Sequence, residues 1–136
     1  MTPRRMPRTR AMTRGDVRVR AATARKYQEV GEMVLGEDPE ERQVAGGLAA
    51  LAAIAAADAI CGARLGRCAT GQDHGQAEDL LATVNPGGKD LARKLARVLS
   101  AKSSAHYGTT YLTTSETLTM VRCSRALVDA IEAHVD

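Results

Sequence analysis

The first half of the chain carries apolar side chains at helical spacing. From Tyr27 to Val34 they recur every three or four positions, which predicts a first helix over residues 23–35. The segment DPEE, residues 38–41, then provides an aspartate cap, a proline at the first helical position and a glutamate that completes a capping box. We therefore predict that a second helix begins there and continues to about Leu65.

The second helix is apolar on nearly every face. Its run VAGGLAALAAIAAA extends for 14 residues, from Val44 to Ala57, before Asp58 interrupts it. A helix of this kind is either the centre of a bundle or a membrane span, but a span needs about 20 predominantly apolar residues. We therefore predict a bundle centre and expect no membrane as a partner.

The second half of the chain predicts three more helices. The segment DHGQAEDLLATV, residues 73–84, is typical of a short helix with an aspartate cap, and NPGG then breaks the chain. Residues 89–108, KDLARKLARVLSAKSSAHYG, predict a fourth helix with leucine and valine on one stripe. Thr113 and Glu116 form a capping box before a last helix that reaches about His134.

The fold class follows from these elements and from the chain length. The alternation typical of strands appears nowhere outside the short connection GTTYLTT. With 136 residues, 44% of them hydrophobic, the chain is long enough for one domain and too short for two of ordinary size. We therefore predict an all-α fold, a bundle of four long helices and one short helix.

The first 20 residues differ in composition from the rest. They contain seven arginines, one aspartate and two prolines, and they show no apolar periodicity. This composition predicts a disordered basic arm over residues 1–20, followed by the helical domain over residues 21–136. Such an arm can bind RNA phosphates; the alternatives are a solubilising tail or codons read from a mis-assigned start. The arm lacks the apolar stretch of a secretory signal, and three cysteines without a CxxC pair favour a cytoplasmic protein.

Two polar residues continue the apolar stripe of the fourth helix. Lys102 and His106 follow its leucines at steps of three and four residues, which places both on the buried or interface side. Because they are four residues apart, they are also neighbours on one face. Two interpretations stay open at this point. Either a cleft uses both groups, or His106 is a satisfied histidine near a helix end and the Lys102 charge reaches solvent.

Asp58 occupies a comparable position on the second helix, between Ile54 and Cys61. A buried carboxylate needs a partner. The candidate partners in the sequence are Lys102, His106 and Arg122. The alternative is an Asp58 that faces solvent.

A metal site finds little support in the sequence. Asp73 and His74 are adjacent, but neighbouring side chains on a helix point in different directions, and neither histidine nor cysteine follows four residues later. The chain also lacks GxxxxGK[ST], GxSxG and HExxH. P-loop hydrolysis, serine esterase chemistry and zincin chemistry therefore lack support.

Three segments together resemble small bacterial HEPN-type helical proteins. The segments are ADAICGARLG, GQDHGQAEDLL and KSSAHYG, and the likeness spans about residues 22–134. HEPN proteins form helical bundles and frequently dimerise, and their active members are metal-independent ribonucleases, often toxins that have an antitoxin partner. Their hallmark is an arginine, four to six residues, and then a histidine near a helix end. His106 matches that histidine, whereas Lys102, with three intervening residues, stands in place of the arginine.

The resemblance implies cleavage of RNA by its own 2′-hydroxyl, without a metal or another cofactor. His106 would act as general base or acid, and Lys102 would stabilise negative charge on the phosphorane. Asp58 and Tyr107 would be supporting polar residues. The residues implied to contact RNA are Arg93 and Arg97.

The competing hypothesis is a non-catalytic helical interaction module, such as a regulatory or antitoxin-type partner protein. In that case the polar groups would set the register of a helical assembly. Both hypotheses predict a homodimer, because helices lined with small residues can approach a second copy closely. They differ in ribonuclease activity.

Overall fold

The computed structural model describes residues 8–70 and 74–135, and this part of the chain is mostly helical. Two short strands accompany the helices. The elements are β1 (Thr9–Ala11), α1 (Arg14–Val34), α2 (Pro39–Leu65), β2 (Arg67–Ala69), α3 (His74–Ala82), α4 (Gly88–Ser100), α5 (Lys102–Tyr107) and α6 (Thr114–His134). The all-α class predicted from the sequence is therefore correct in its main feature.

Helix α2 forms the centre of the protein. It begins at the predicted capping box, in which the Glu41 carboxylate accepts from the Asp38 amide at 3.1 Å, and it packs mainly against α1 and α6. Its alanines from Ala49 to Ala59 are almost completely buried. By length and composition α2 could span a membrane, but 67% of its most apolar window is buried inside the protein.

Contacts at both ends of α2 fix the directions of its neighbours. A Cβ on Gly31 would lie 3.3 Å from Leu48, whereas Gly62 lies against Val17, so α1 runs antiparallel to α2. Helix α6 runs parallel to α2 because the Arg64 side chain bonds to His134, the last residue of α6. The ends of α2 and α6 therefore meet the beginning of α1.

Helix α1 begins nine residues earlier than the predicted residue 23, so the predicted boundary of a disordered arm at residue 20 is wrong. The Thr13 hydroxyl accepts from the Asp16 amide and the Asp16 carboxylate accepts from the Thr13 amide, which closes a capping box. Val17 and Ala21 are then buried one helical turn apart. Residues 1–7 of the predicted arm lie outside the described residues.

The two strands also differ from the prediction, which placed strand character only in GTTYLTT. Strand β1 pairs antiparallel with β2, with Arg10 opposite Cys68. Three residues per strand are too few for alternation to be recognised in the sequence. The pairing joins the chain before α1 to the chain after α2.

The predicted fourth helix is divided in two at Ala101. Its φ and ψ of −103° and −1° depart from those of a regular α-helix, and its amide bonds to the carbonyl of Val98, three residues back, at 3.2 Å. The Ser100 hydroxyl bonds to the Arg97 carbonyl, a local bond with which serine competes against regular helix. The buried positions continue from Leu95 and Val98 to Ala105 at helical spacing, and His106, one position later, is exposed.

Candidate functional site

Three residues predicted to carry chemistry lie on the short helix α5. His106 and Tyr107 are exposed, with 79% of Tyr107 accessible, and Lys102 is half-buried. The centroids of the His106 and Tyr107 rings are 6.0 Å apart. We call Lys102, His106 and Tyr107 the α5 surface. The sequence predicted the buried or the interface side for His106; its exposure excludes the buried side, and an interface stays a prediction. Its proximity to Lys102 follows from the same helical turn.

The α5 surface is held in place by Gln43 of α2. The Gln43 amide nitrogen donates to the carbonyls of Ser104 and Ala105, at 2.6 and 2.9 Å, and its oxygen accepts from the Leu112 amide at 2.9 Å. One side chain thus satisfies two carbonyls at the end of α5 and an amide of the loop that follows. This position was not recognised in the sequence, because a glutamine in the first turns of a helix carries no signal for contacts 60 or 70 residues away.

Two adjacent glycines of α2, Gly46 and Gly47, allow α5 and the loop after it to lie close to α2. A Cβ on Gly46 would lie 2.4 Å from the Leu112 side chain, so the loop after α5 packs where a larger residue would collide. A Cβ on Gly47 would lie 3.8 Å from Nε2 of His106, an ordinary contact distance. The imidazole therefore lies beside α2 at Gly47 while keeping its outer face in solvent.

The predicted RNA-binding arginines do not join the α5 surface. Arg97 lines a cleft of about 290 Å³ together with Ser100, Ser104 and Glu116. Ser104 is two residues from His106, a rotation of about 200° on a helix, so the cleft and His106 lie on opposite sides of α5. Arg93 is exposed and pairs with Asp90 at 3.5 Å.

The structure also separates Asp58 from the α5 surface. Asp58 accepts a hydrogen bond from Arg20 at 2.9 Å, with 15% of the Asp58 side chain accessible. Gly47 and Asp58 of α2 are eleven positions apart, which is about 16 Å along the helix axis. The prediction that a buried Asp58 requires a cationic partner is correct, but the expected partners were wrong because α1 was predicted to start after residue 20.

Burial dominates the electrostatics around Asp58. It raises the pKa of the carboxyl above its usual value, although the charge and hydrogen bond of Arg20 act in the opposite direction. Burial, followed by the nearby Asp58 charge, raises the pKa of Cys61 to about 12. Cys61 is therefore a protonated, buried thiol at neutral pH, without the features of a reactive cysteine.

A second polar network, unexpected from the sequence, joins α1 to α6. Gln28 and Ser124 are buried, and the Ser124 hydroxyl donates to the Gln28 oxygen at 2.6 Å. The Gln28 amide donates to Glu32, which also accepts from Arg125 of α6. The Arg125 hydrogen bond, the largest effect, lowers the pKa of Glu32. Gln28 falls on the buried stripe of α1, a pattern that appears once the helix is started at Thr13.

The last residues considered in the sequence were Asp73 and His74, as a possible metal pair. Asp73 and the side chain of His74 lie outside the described residues. Within residues 8–70 and 74–135, no three histidine, cysteine or carboxylate side chains come together as metal ligands would. Comparison with known protein families finds no family model that matches the chain, and comparison with curated proteins finds no relative.

Proposed function

We propose that this protein is a HEPN-type helical protein that binds single-stranded RNA at the α5 surface and cleaves it without a metal ion. The observation that supports the proposal most directly is the exposed His106 on the same helical face as Lys102. An imidazole that is free to meet a substrate and a neighbouring ammonium are the two groups that this chemistry needs. The long helices α1, α2, α4 and α6 would form the four-helix bundle of such a protein.

The chemistry would proceed through the substrate's own nucleophile. The 2′-oxygen attacks phosphorus and the bond to the 5′-oxygen breaks, which gives a 2′,3′-cyclic phosphate and a 5′-hydroxyl. His106 accepts the proton of the 2′-hydroxyl or donates one to the leaving 5′-oxygen. Lys102 stabilises the extra negative charge on the phosphorane as a point charge. The exposed Tyr107 ring offers a base a face on which to stack.

A homodimer would supply what one chain lacks for this reaction. A single imidazole cannot act as base and acid in the same step, whereas two copies of His106 could divide the roles. Apolar side chains near the turn between α1 and α2 offer contact area for a second copy, since Met33 is 75% and Val44 is 52% accessible. Gly47, beside His106, is on the same half of α2.

A non-catalytic interaction module, such as a regulatory or antitoxin-type partner protein, is the second candidate. It is favoured by the surroundings of His106: among the described residues none donates or accepts a hydrogen bond with its imidazole. Asp58, which could have oriented the ring, is paired with Arg20. An imidazole without an orienting group is a weaker general base.

Histidine NMR with an uncleavable RNA distinguishes these functions at the level of binding. The chain has three histidines, and His134 provides an internal reference. Adding a 2′-O-methyl oligoribonucleotide without terminal phosphates should shift the His106 ring signals and leave those of His134 in place. A Lys102→Gln variant should bind the oligonucleotide more weakly, whereas Arg25→Gln, on the exposed face of α1, should not. Unchanged His106 signals at saturating RNA would reject the RNA-binding site.

A further inference from the structure

A cleft of about 470 Å³ lies at the opposite end of α2 from the α5 surface. The beginning of α1 and the ends of α2 and α6 enclose it. Between Gly47 and Gly62, α2 rises about 22 Å, so this cleft is distinct from the site of the proposed RNA chemistry. Its volume lies within the usual range for small-molecule pockets.

The cleft combines an apolar wall with a cationic one. Met12 and Val17 are buried side chains of the apolar wall, which Val135 completes. Arg14 and Arg18 of α1 also line the cleft, and both are exposed. None of the described residues that line the cleft is an aspartate or a glutamate, so its lining carries net positive charge.

Some arginines of the fold are already paired with carboxylates. Arg20 is paired with Asp58, and Arg125 is paired with Glu32. Arg14 and Arg18 have no carboxylate partner within the described part of the chain. Guanidinium groups bind phosphate oxygens through two parallel hydrogen bonds, so a pair of them next to a cleft favours a phosphate ligand.

His134 adds a fixed hydrogen-bond donor to the lining. It is 91% buried, since only 9% of the residue is accessible. Its Nδ1 accepts from Arg64 Nε at 2.8 Å, and a second Arg64 nitrogen donates to the Ala133 carbonyl at 3.0 Å. Because arginine can only donate, the imidazole carries its hydrogen on Nε2. This N–H has no partner among the described residues.

We propose that this cleft binds a small organic phosphate, with the phosphate held by Arg14 and Arg18 and the apolar body of the ligand against Met12 and Val17. The Nε2–H of His134 donates a hydrogen bond to an oxygen or nitrogen acceptor of the ligand. A nucleoside monophosphate has all three features: a dianionic phosphate, a flat apolar ring system and several acceptors. Inorganic phosphate has only the first.

Isothermal titration of the full chain with three probes tests the proposal. Adenosine monophosphate should bind, inorganic phosphate should bind at least about tenfold more weakly because it leaves the apolar wall unused, and adenosine should not bind measurably. Arg18→Gln should weaken the binding of adenosine monophosphate by roughly tenfold or more, the loss of one charge-assisted contact. Arg25→Gln, exposed on α1 outside the cleft, is the matched control and should bind normally.

His134 gives an independent spectroscopic readout. Its ring signals should shift on adding adenosine monophosphate, and a His106→Gln variant should show the same shift, because the two sites are separate. Equal affinity for inorganic phosphate and adenosine monophosphate would overturn the claim of an organic ligand. Binding that Arg18→Gln leaves unchanged, or the absence of any binding, would overturn the site.

Discussion

Asp58 accepts a 2.9 Å hydrogen bond from Arg20, and this pair joins α2 to α1. The Asp58 carboxylate thus helps to hold α1 against α2. It lies about 16 Å along α2 from Gly47, the glycine beside His106. In the proposed reaction Asp58 therefore does not orient the His106 imidazole.

The Asp58–Arg20 pair predicts a structural role for Asp58. Asp58→Ala leaves a partly buried guanidinium without its partner and should lower the free energy of unfolding by about 2–3 kcal/mol. Urea denaturation measures this change. Asp90→Ala removes an exposed carboxylate that pairs with Arg93 and Lys94 within α4, and its effect should be clearly smaller. If both variants unfold at the same urea concentration as the parent, the Asp58–Arg20 contact does not stabilise the fold.

The contact between Ser124 and Gln28 predicts a second stability effect. Ser124→Ala leaves the buried Gln28 oxygen without its 2.6 Å donor and should cost about 1–2 kcal/mol. Ser103→Ala, exposed on α5, serves as the control and should unfold like the parent. A Ser124→Ala protein as stable as the parent would mean that water or another group replaces the hydroxyl.

The adjacent glycines of α2 predict opposite effects for the same substitution. Gly47→Ala meets only an ordinary contact and gains helix propensity, so it should raise stability by about 0.5–1 kcal/mol. Gly46→Ala places a methyl 2.4 Å from buried Leu112, and the overpacking should outweigh the propensity gain, for a net loss of about 1 kcal/mol. Thermal unfolding followed by circular dichroism compares the two variants. Melting temperatures that shift in the same direction would contradict the described packing of Leu112.

The environment of His134 predicts that the free energy of unfolding falls as the pH is lowered. Burial, and then repulsion from Arg64, lower its pKa below the usual 6.5. The unfolded chain therefore binds a proton at higher pH than the folded chain does, and the free energy of unfolding falls as the pH drops below about 6.5. His134→Gln should remove this part of the pH dependence. Urea titrations of both proteins at about pH 8 and about pH 5.5 test the sign. An equal pH dependence in the two proteins would contradict the assigned environment of His134.

The sequence predicted the starts of α2 and α6 well because each start is encoded by a few neighbouring residues. Asp38 with Glu41, and Thr113 with Glu116, are capping boxes that can be recognised from four residues alone. The start of α1 has the same signal at Thr13 and Asp16, but the arginine-rich composition around it favours disorder. Composition describes an average, whereas the cap and the buried Val17 decide the local outcome.

The candidate site was less predictable from the sequence. It depends on which positions of the predicted fourth helix are buried and on contacts between residues that are distant in the sequence. Val98 and Leu99 both lie at helical spacing from Leu95, so the pattern does not choose between them. The structure buries Val98 and, seven residues later, Ala105, so His106 faces solvent. The partner of Asp58 and the clamp by Gln43 join residues 38 or more positions apart. Spacing along one helix cannot reveal such pairs.

A ribonuclease assay in excess EDTA is the most direct measurement of the central claim, that the α5 surface cleaves RNA without a metal. The parent protein and the Arg25→Gln control should cut a single-stranded RNA to products with 2′,3′-cyclic phosphate and 5′-hydroxyl ends, and a substrate with 2′-deoxy sugars should stay intact. His106→Asn, while folded, should lose at least about a hundredfold in rate, as expected when a general acid or base is removed. Cleavage that His106→Asn leaves undiminished, or a parent protein that cuts no RNA under these conditions, would contradict the claim.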